Sequence, residues 1–192
     1  PVSVLVRSPL LVLSAPTLPW TNFDTYLKAA KANPDYAAMA IAGSGSLPHI
    51  ALALVNSQTG ANIRSIPYKG AGPAISDGLG AHVQSGRLRP LAVATKERVP
   101  QMPNVATFAE QGVPFEMATW YGIAVPAGTP ADIIDKLHKA IAKIMAEPEM
   151  REWASKSGFI PVVNSPAEAK ATVVADIERL GKVIRDNNIK PE

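Results

Sequence analysis

Short apolar runs alternate with helix signals along this chain, and that alternation constrains its fold more than any other feature. Residues 39–42, 62–66, 88–94, 119–125 and 159–163 read as strands. Thr21 with Asp24 predicts a helix start, and Asn33-Pro34 a stop. A second helix is expected from about Pro48 to Thr59-Gly60, and Pro73 stands where a further helix would begin. Thr129 is expected to cap an amphipathic helix on which Ile133, Ile134, Leu137, Ile141, Ile144 and Met145 share one face. Residues 149–157 follow as a helix closed by Gly158, with Trp153 in the core. Ser165-Pro166-Ala167-Glu168 carries a capping box and opens a helix to about Asp186. Strands and helices in this order predict α/β layers. The apolar opening, residues 2–13, is broken by Arg7 and Pro9 and is too short to span a bilayer. It lacks the basic start and cleavage site of a signal peptide, and reads as a buried strand pair with a bend.

Composition narrows the chemistry. The chain has no cysteine, so disulfides, thiolate catalysis and cysteine-held zinc are excluded. The three histidines, His49, His82 and His138, are far apart in sequence, which argues against a histidine-rich metal site; the last two read as surface residues. The net charge is +3, divided as +5 over residues 1–100 and −2 over residues 101–192. A modest positive excess suits a small anion. No basic cluster with interleaved aromatics marks a nucleic-acid surface.

Two loops could carry function. Ala42-Gly43-Ser44-Gly45-Ser46 lies between a strand and a helix. Its glycines let backbone N–H groups turn toward one point, the helix N-terminus adds partial positive charge, and two hydroxyls add donors. The same residues also make an ordinary turn with Ser46 as cap. Pro67-Tyr68-Lys69-Gly70-Ala71-Gly72-Pro73 repeats the pattern after the next strand and adds a cation. Side by side at the carboxyl edge of a sheet, the two loops would form an anion site; alone, the second is a turn with a solvated lysine.

Other chemistries fit less well. No Gly-Lys-Ser/Thr run offers a phosphate loop, Gly70-Ala71-Gly72 leads to Ile75 where a dinucleotide fingerprint needs glycine, and no Gly-x-Ser-x-Gly elbow occurs. A serine hydrolase using Ser44 and His49 remains an alternative. In it, His49 would have to act as base from one turn inside a helix, where local packing or hydrogen bonding is the simpler role. Trp120-Tyr121-Gly122 could line a cleft or pack in a core.

At these loops the sequence resembles the substrate-binding proteins of tripartite tricarboxylate transporters, the Bug or TctC-like family. The resemblance rests on Gly43-Ser44-Gly45-Ser46 with His49-Ile50-Ala51, and on Ile66-Pro67-Tyr68-Lys69-Gly70 with Gly72-Pro73-Ala74. It continues through Gly86-Arg87-Leu88-Arg89-Pro90-Leu91-Ala92-Val93, 103–112, Trp120-Tyr121-Gly122 and Pro126-Ala127-Gly128-Thr129-Pro130. It implies a type II periplasmic binding protein fold with two α/β lobes, this chain supplying mainly the second lobe. It places the ligand-binding lobe at 1–118 and, at 119–192, a crossing strand and helices that return to the first lobe. It also implies a periplasmic protein that does no catalysis and needs no cofactor. Such a protein captures a small organic carboxylate and delivers it to two membrane components, without itself spanning the membrane. Ser44, Gly45 and Ser46 match the family's carboxylate loop, and Lys69, Gly70, Ala71 and Gly72 the neighbouring one. Against the family pattern a first-lobe segment is absent, and about fifteen residues are expected to be missing between Gly80 and Ala81, the length of a strand and its connection. The helices from Pro130 onward would then show an uncovered apolar face. The remaining alternative is the effector-sensing domain of a bacterial regulator, for which no helix-turn-helix is evident.

Overall fold

A computed structural model of the chain describes residues 1–68 and 86–190. The Pro73 helix start and the suspected gap after Gly80 lie outside them. The described chain is α/β and divides into two compact units, one of Pro1–Pro9 and Ala118–Gly181, the other of Leu10–Met117 and Lys182–Glu192.

In the first unit the strands β1 (Ser3–Pro9), β6 (Ala118–Ile123) and β7 (Ile160–Pro161) form an antiparallel sheet in the order β6-β1-β7. The register pairs Ser3 with Ile123 and Arg7 with both Trp120 and Ile160. Gly122 is required there by space: a Cβ on it would lie 2.6 Å from the Ser3 carbonyl oxygen. Val2, Val4 and Val6 are buried, and Asn164 ties down the strand by accepting the Val4 N–H at 2.8 Å. Helices α3 (Ala131–Ala146), α4 (Pro148–Lys156) and α5 (Pro166–Asp186) complete the unit, α5 running on into the other one. The predicted capping box forms: Ser165 N–H donates to the Glu168 carboxylate at 2.8 Å, and Glu168 N–H to Ser165 Oγ at 3.3 Å.

Three expectations fail in this unit. Thr129 does not cap α3; its hydroxyl turns back to the Pro126 carbonyl at 2.8 Å, and Pro130 takes the cap position. The six apolar residues of α3 do share one face, an arc of about 120° at 100° per residue, but only one side of that arc is covered. Met145 is buried and Ile134 and Ile141 are half-buried, whereas Ile133, Leu137 and Ile144 are exposed. Trp153 is not core: it is 47% exposed, at the end of a ring chain in which Phe159 lies between it and Tyr121. His138 is half-buried, its Nε2 enclosed and without a partner among the described residues, and is not a surface residue.

The second unit holds β2 (Leu11–Ser14) antiparallel to β5 (Arg89–Val93), and β3 (Ala38–Ile41) parallel to β4 (Arg64–Pro67). Its core is an aromatic row in which Trp20, Tyr26, Phe23, Phe108 and Phe115 touch in turn, with ring centroids 4.6–5.8 Å apart. Helix α1 (Phe23–Ala32) is capped by Asn22, not Thr21: Asn22 accepts the Thr25 N–H at 2.9 Å, and Thr25 Oγ1 accepts the Asn22 N–H. Gln111 joins this helix to the sheet, its Oε1 accepting from the N–H groups of Phe23 and Asp24 while its Nε2 donates to the Leu91 carbonyl. Helix α2 (Leu47–Thr59) starts close to the Pro48 signal and ends on Gly60 in the left-handed conformation.

Candidate functional site

Strand β3 ends on the buried Ile41, and the chain turns through Gly43 and Gly45 into α2. Both glycines have positive φ, +131° and +76°, which a side chain would strain. The loop closes on itself through a bond from the Ser46 N–H to the Gly43 carbonyl at 3.3 Å. Strand β4 then brings Tyr68 beside it. The Tyr68 N–H bonds to the Ile41 carbonyl at 2.9 Å, and the Tyr68 carbonyl oxygen lies 3.5 Å from where a Gly43 Cβ would stand. The second glycine loop therefore starts next to the first. Its candidate residues Lys69, Gly70, Ala71 and Gly72 lie outside the described residues.

The donors of the first loop are not those the sequence suggests. The Gly45 N–H is directed at His49 Nδ1, 3.1 Å away, and the Ser46 N–H is taken by Gly43. Because Nδ1 accepts, the imidazole proton of the neutral ring sits on Nε2. His49 is thus a brace from the first turn of α2 to its own loop. The sequence carried one cue to it: a histidine four residues after a glycine, across a helix start.

Ser46 occupies the N-cap position with extended backbone, yet its hydroxyl makes no cap bond. Its oxygen is enclosed and has no partner among the described residues. The expected cap role of this hydroxyl is therefore corrected: it points to neither of the N–H groups it would satisfy. Pro48 has no N–H, and the N–H groups of Leu47 and His49 have no acceptor among the described residues. The site thus combines an uncommitted hydroxyl, open first-turn amides and the positive end of a thirteen-residue helix. Chemically, it can receive an anionic oxygen.

The description "Tripartite tricarboxylate transporter family receptor" matches residues 1–189, almost the full length. The chain belongs to the TctC family. Over 205 aligned residues this TctC-family chain is 32% identical to protein BugT of Bordetella pertussis, covering 99% of the chain and 63% of BugT. That alignment is longer than the chain itself. Among solved structures, it resembles an R. palustris protein with adipate at a TM-score of 0.84 and 30% identity, over 100% of this chain and 69% of that one. It resembles the periplasmic binding protein BugD at a TM-score of 0.81 and 27% identity, over 100% of this chain and 70% of that one. The fold is therefore that of the periplasmic binding proteins, and the chain spans 63% of the length of BugT. No helix among the described residues is long and apolar enough to cross a membrane.

Proposed function

We propose that this chain forms the ligand-receiving part of a periplasmic solute-binding protein that captures a small organic carboxylate and delivers it to two membrane components of a tripartite transporter. The observation that carries the reading is the Ser46 hydroxyl, enclosed and without a partner among the described residues, at the start of α2 on a loop turned by two positive-φ glycines. A ligand carboxylate there accepts from Ser46 and from the first-turn amides, and Ser44 supplies a second hydroxyl. Lys69 and the Gly70-Ala71-Gly72 backbone add charge and donors from the neighbouring loop. The ligand lobe is residues 1–118, and 119–192 return to the other lobe of the protein. The adipate held by the R. palustris relative supports a small dicarboxylate as ligand class. The positive balance of the first hundred residues favours an anion over a cation. No step of bond making is assigned to the site: Nδ1 of His49 is engaged by its own loop, and binding and release suffice.

Isothermal titration calorimetry of the full-length protein against straight-chain dicarboxylates and aromatic acids tests this. Binding to at least one acid, weakened by Ser44→Ala and Ser46→Ala, is expected. Silence across the panel by a folded protein overturns the reading.

A further inference from the structure

We infer that the unit of Pro1–Pro9 and Ala118–Gly181 holds a second ligand site: an open cavity of about 390 Å³ that takes a small apolar monocarboxylate, with the anionic end on Arg151. The cavity shares no residue with the carboxylate loop and stands whether or not the reading of that loop holds.

One short stretch of sequence builds the cavity. The last turns of α3 give Ala142, Met145 and Ala146, helix α4 gives Arg151, and β7 leads into Val162 and Val163. Two alanines one helical turn apart leave room that larger side chains would fill. Val163 lines the cavity from a left-handed backbone, with φ at +48°, which a β-branched residue rarely adopts. Ties on either side hold it there. The Val162 N–H donates to the Leu5 carbonyl at 2.9 Å and the Asn164 N–H to the Val4 carbonyl at 3.3 Å. Two adjacent carbonyls of β1 are thus met by residues two apart, and Val163 is the extra residue of a bulge. Asn164 is fixed twice more: its Oδ1 accepts the Val4 N–H, and its carbonyl accepts from Ser3 Oγ, both at 2.8 Å. Glycine suits a left-handed bulge residue best, whereas valine keeps an isopropyl group on the cavity. Strained residues of this kind concentrate where ligands are clamped.

Charge fixes the class of ligand. Arg151 is the one charged residue among the described residues that line the cavity; the others are apolar. Glu147 stands four positions before it, the spacing at which acids and bases pair along a helix. At that spacing Asp24 pairs with Lys28, Asp135 with Lys139 and Glu152 with Lys156, at 2.6–2.7 Å. Arg151 makes no ion pair among the described residues, so its fork of donors stays open beside apolar walls. That combination matches a carboxylate on a hydrocarbon body. A second carboxylate would lie against Met145 and the two valines without a partner, so the cavity favours a monoanion over the dicarboxylate proposed for the loop. The volume lies near the lower end of the range for small-molecule sites, which limits the body to a medium-length chain or a single ring.

The test titrates octanoate into the full-length protein with isotope-labelled methionine methyl groups, read by NMR. The Met145 methyl, assigned through Met145→Leu, reports on the cavity itself. Its signal should move and saturate, with a dissociation constant below ~1 mM. Octylamine, of the same length and opposite charge, should leave it in place, and so should adipate, which carries two charges. Arg151→Gln should raise the octanoate dissociation constant at least fivefold. Ala146→Trp fills the cavity from an exposed position and should abolish the shift. Both residues are exposed, so the thermal melts of the two variants should match that of the parent. Lack of a saturable shift at Met145, an equal response to octylamine or to adipate, or octanoate binding that either folded variant leaves intact each overturns the inference. Calorimetry with dicarboxylates on the same protein separates the two sites: heat of binding with a silent Met145 methyl sinks the cavity and spares the loop.

Discussion

The backbone N–H of Gly45 donates to Nδ1 of His49 at 3.1 Å, so the first turn of α2 holds the loop that feeds it. A neutral bond of this kind contributes about 1 kcal/mol net. His49→Ala in the full-length protein should therefore weaken carboxylate binding about fivefold, at 1.4 kcal/mol per tenfold. Titration calorimetry on parent and variant decides it, and an unchanged affinity would show that the brace does not shape the site.

The two serines of the loop should both act on affinity rather than on stability. A hydroxyl bonded to a carboxylate is worth about 1.5–3 kcal/mol, so Ser44→Ala and Ser46→Ala should each cost one to two powers of ten in affinity. Ser46 makes no cap bond. Its alanine variant should consequently lose less than the ~1 kcal/mol typical of a broken cap. Urea midpoints of the unliganded proteins provide the comparison, and a full-sized loss at Ser46 would contradict the geometry.

Gly122→Ala should destabilise the first unit by about 2–3 kcal/mol, within the range of overpacked backbone contacts. The new methyl would stand 2.6 Å from the Ser3 carbonyl oxygen and 3.3 Å from the Val4 Cα, both on the partner strand. Gly128 offers the control: it has open space but a φ of +84°, so alanine there costs only backbone strain, about 1 kcal/mol. Chemical denaturation of the two variants should rank them in that order.

Burial pushes the Tyr26 phenol up to about 12 from its ordinary 10.0. The ring is only 4% exposed, and its hydroxyl donates to the Ala38 carbonyl. A raised folded pKa means that this contribution is complete below pH 10 and is lost as pH rises toward 12. Melting temperature should fall across that window in the parent, and Tyr26→Phe should flatten the decline.

The Glu168 carboxyl is held below its ordinary 4.5 by hydrogen bonds from the Ser165 hydroxyl and then from the Ser165 backbone. Its contribution is present above the unfolded value and disappears as pH falls through the lower folded one. Glu168→Gln should reduce stability at pH 7 and make the acid side of the stability curve shallower. An acid limb of unchanged slope would count against the capping box as a source of pH dependence.

Features written in adjacent residues were legible. Pro48 and Gly60 bracket α2 because a fixed φ suits a helix start and a left-handed residue suits its end. Ser165 and Glu168 found each other across three positions. The Gly43–Ser46 segment was also readable as a loop before a helix, since its glycines take conformations that other residues avoid. The choice among near-equal neighbours was not: Asn22 outcompeted Thr21, and Thr129 preferred the Pro126 carbonyl to the helix. Periodicity marked α3 as amphipathic but could not say which part of a wide apolar arc would be covered. In the site, the sequence supplied the donors but not their commitments, because the Gly45 and Ser46 amides are used up by partners only geometry brings near. Gln111 shows the limit most sharply: it serves the N-terminus of a helix 88 positions away in the chain, and no local pattern announces that.

The pairing of Ser3 with Ile123 and of Arg7 with Ile160 has a consequence for biosynthesis. A ribosome delivers the first strand of this sheet early and its two partners much later. Residues 10–117 form most of the second unit and are contiguous, so their packing can begin as soon as they emerge. Strand β1 must wait unpaired until β6 and β7 have followed it, and closing so long a loop is entropically costly. During that interval Val2, Val4 and Val6, which end up in the core, are left without cover. They are the natural landing point for a holding chaperone.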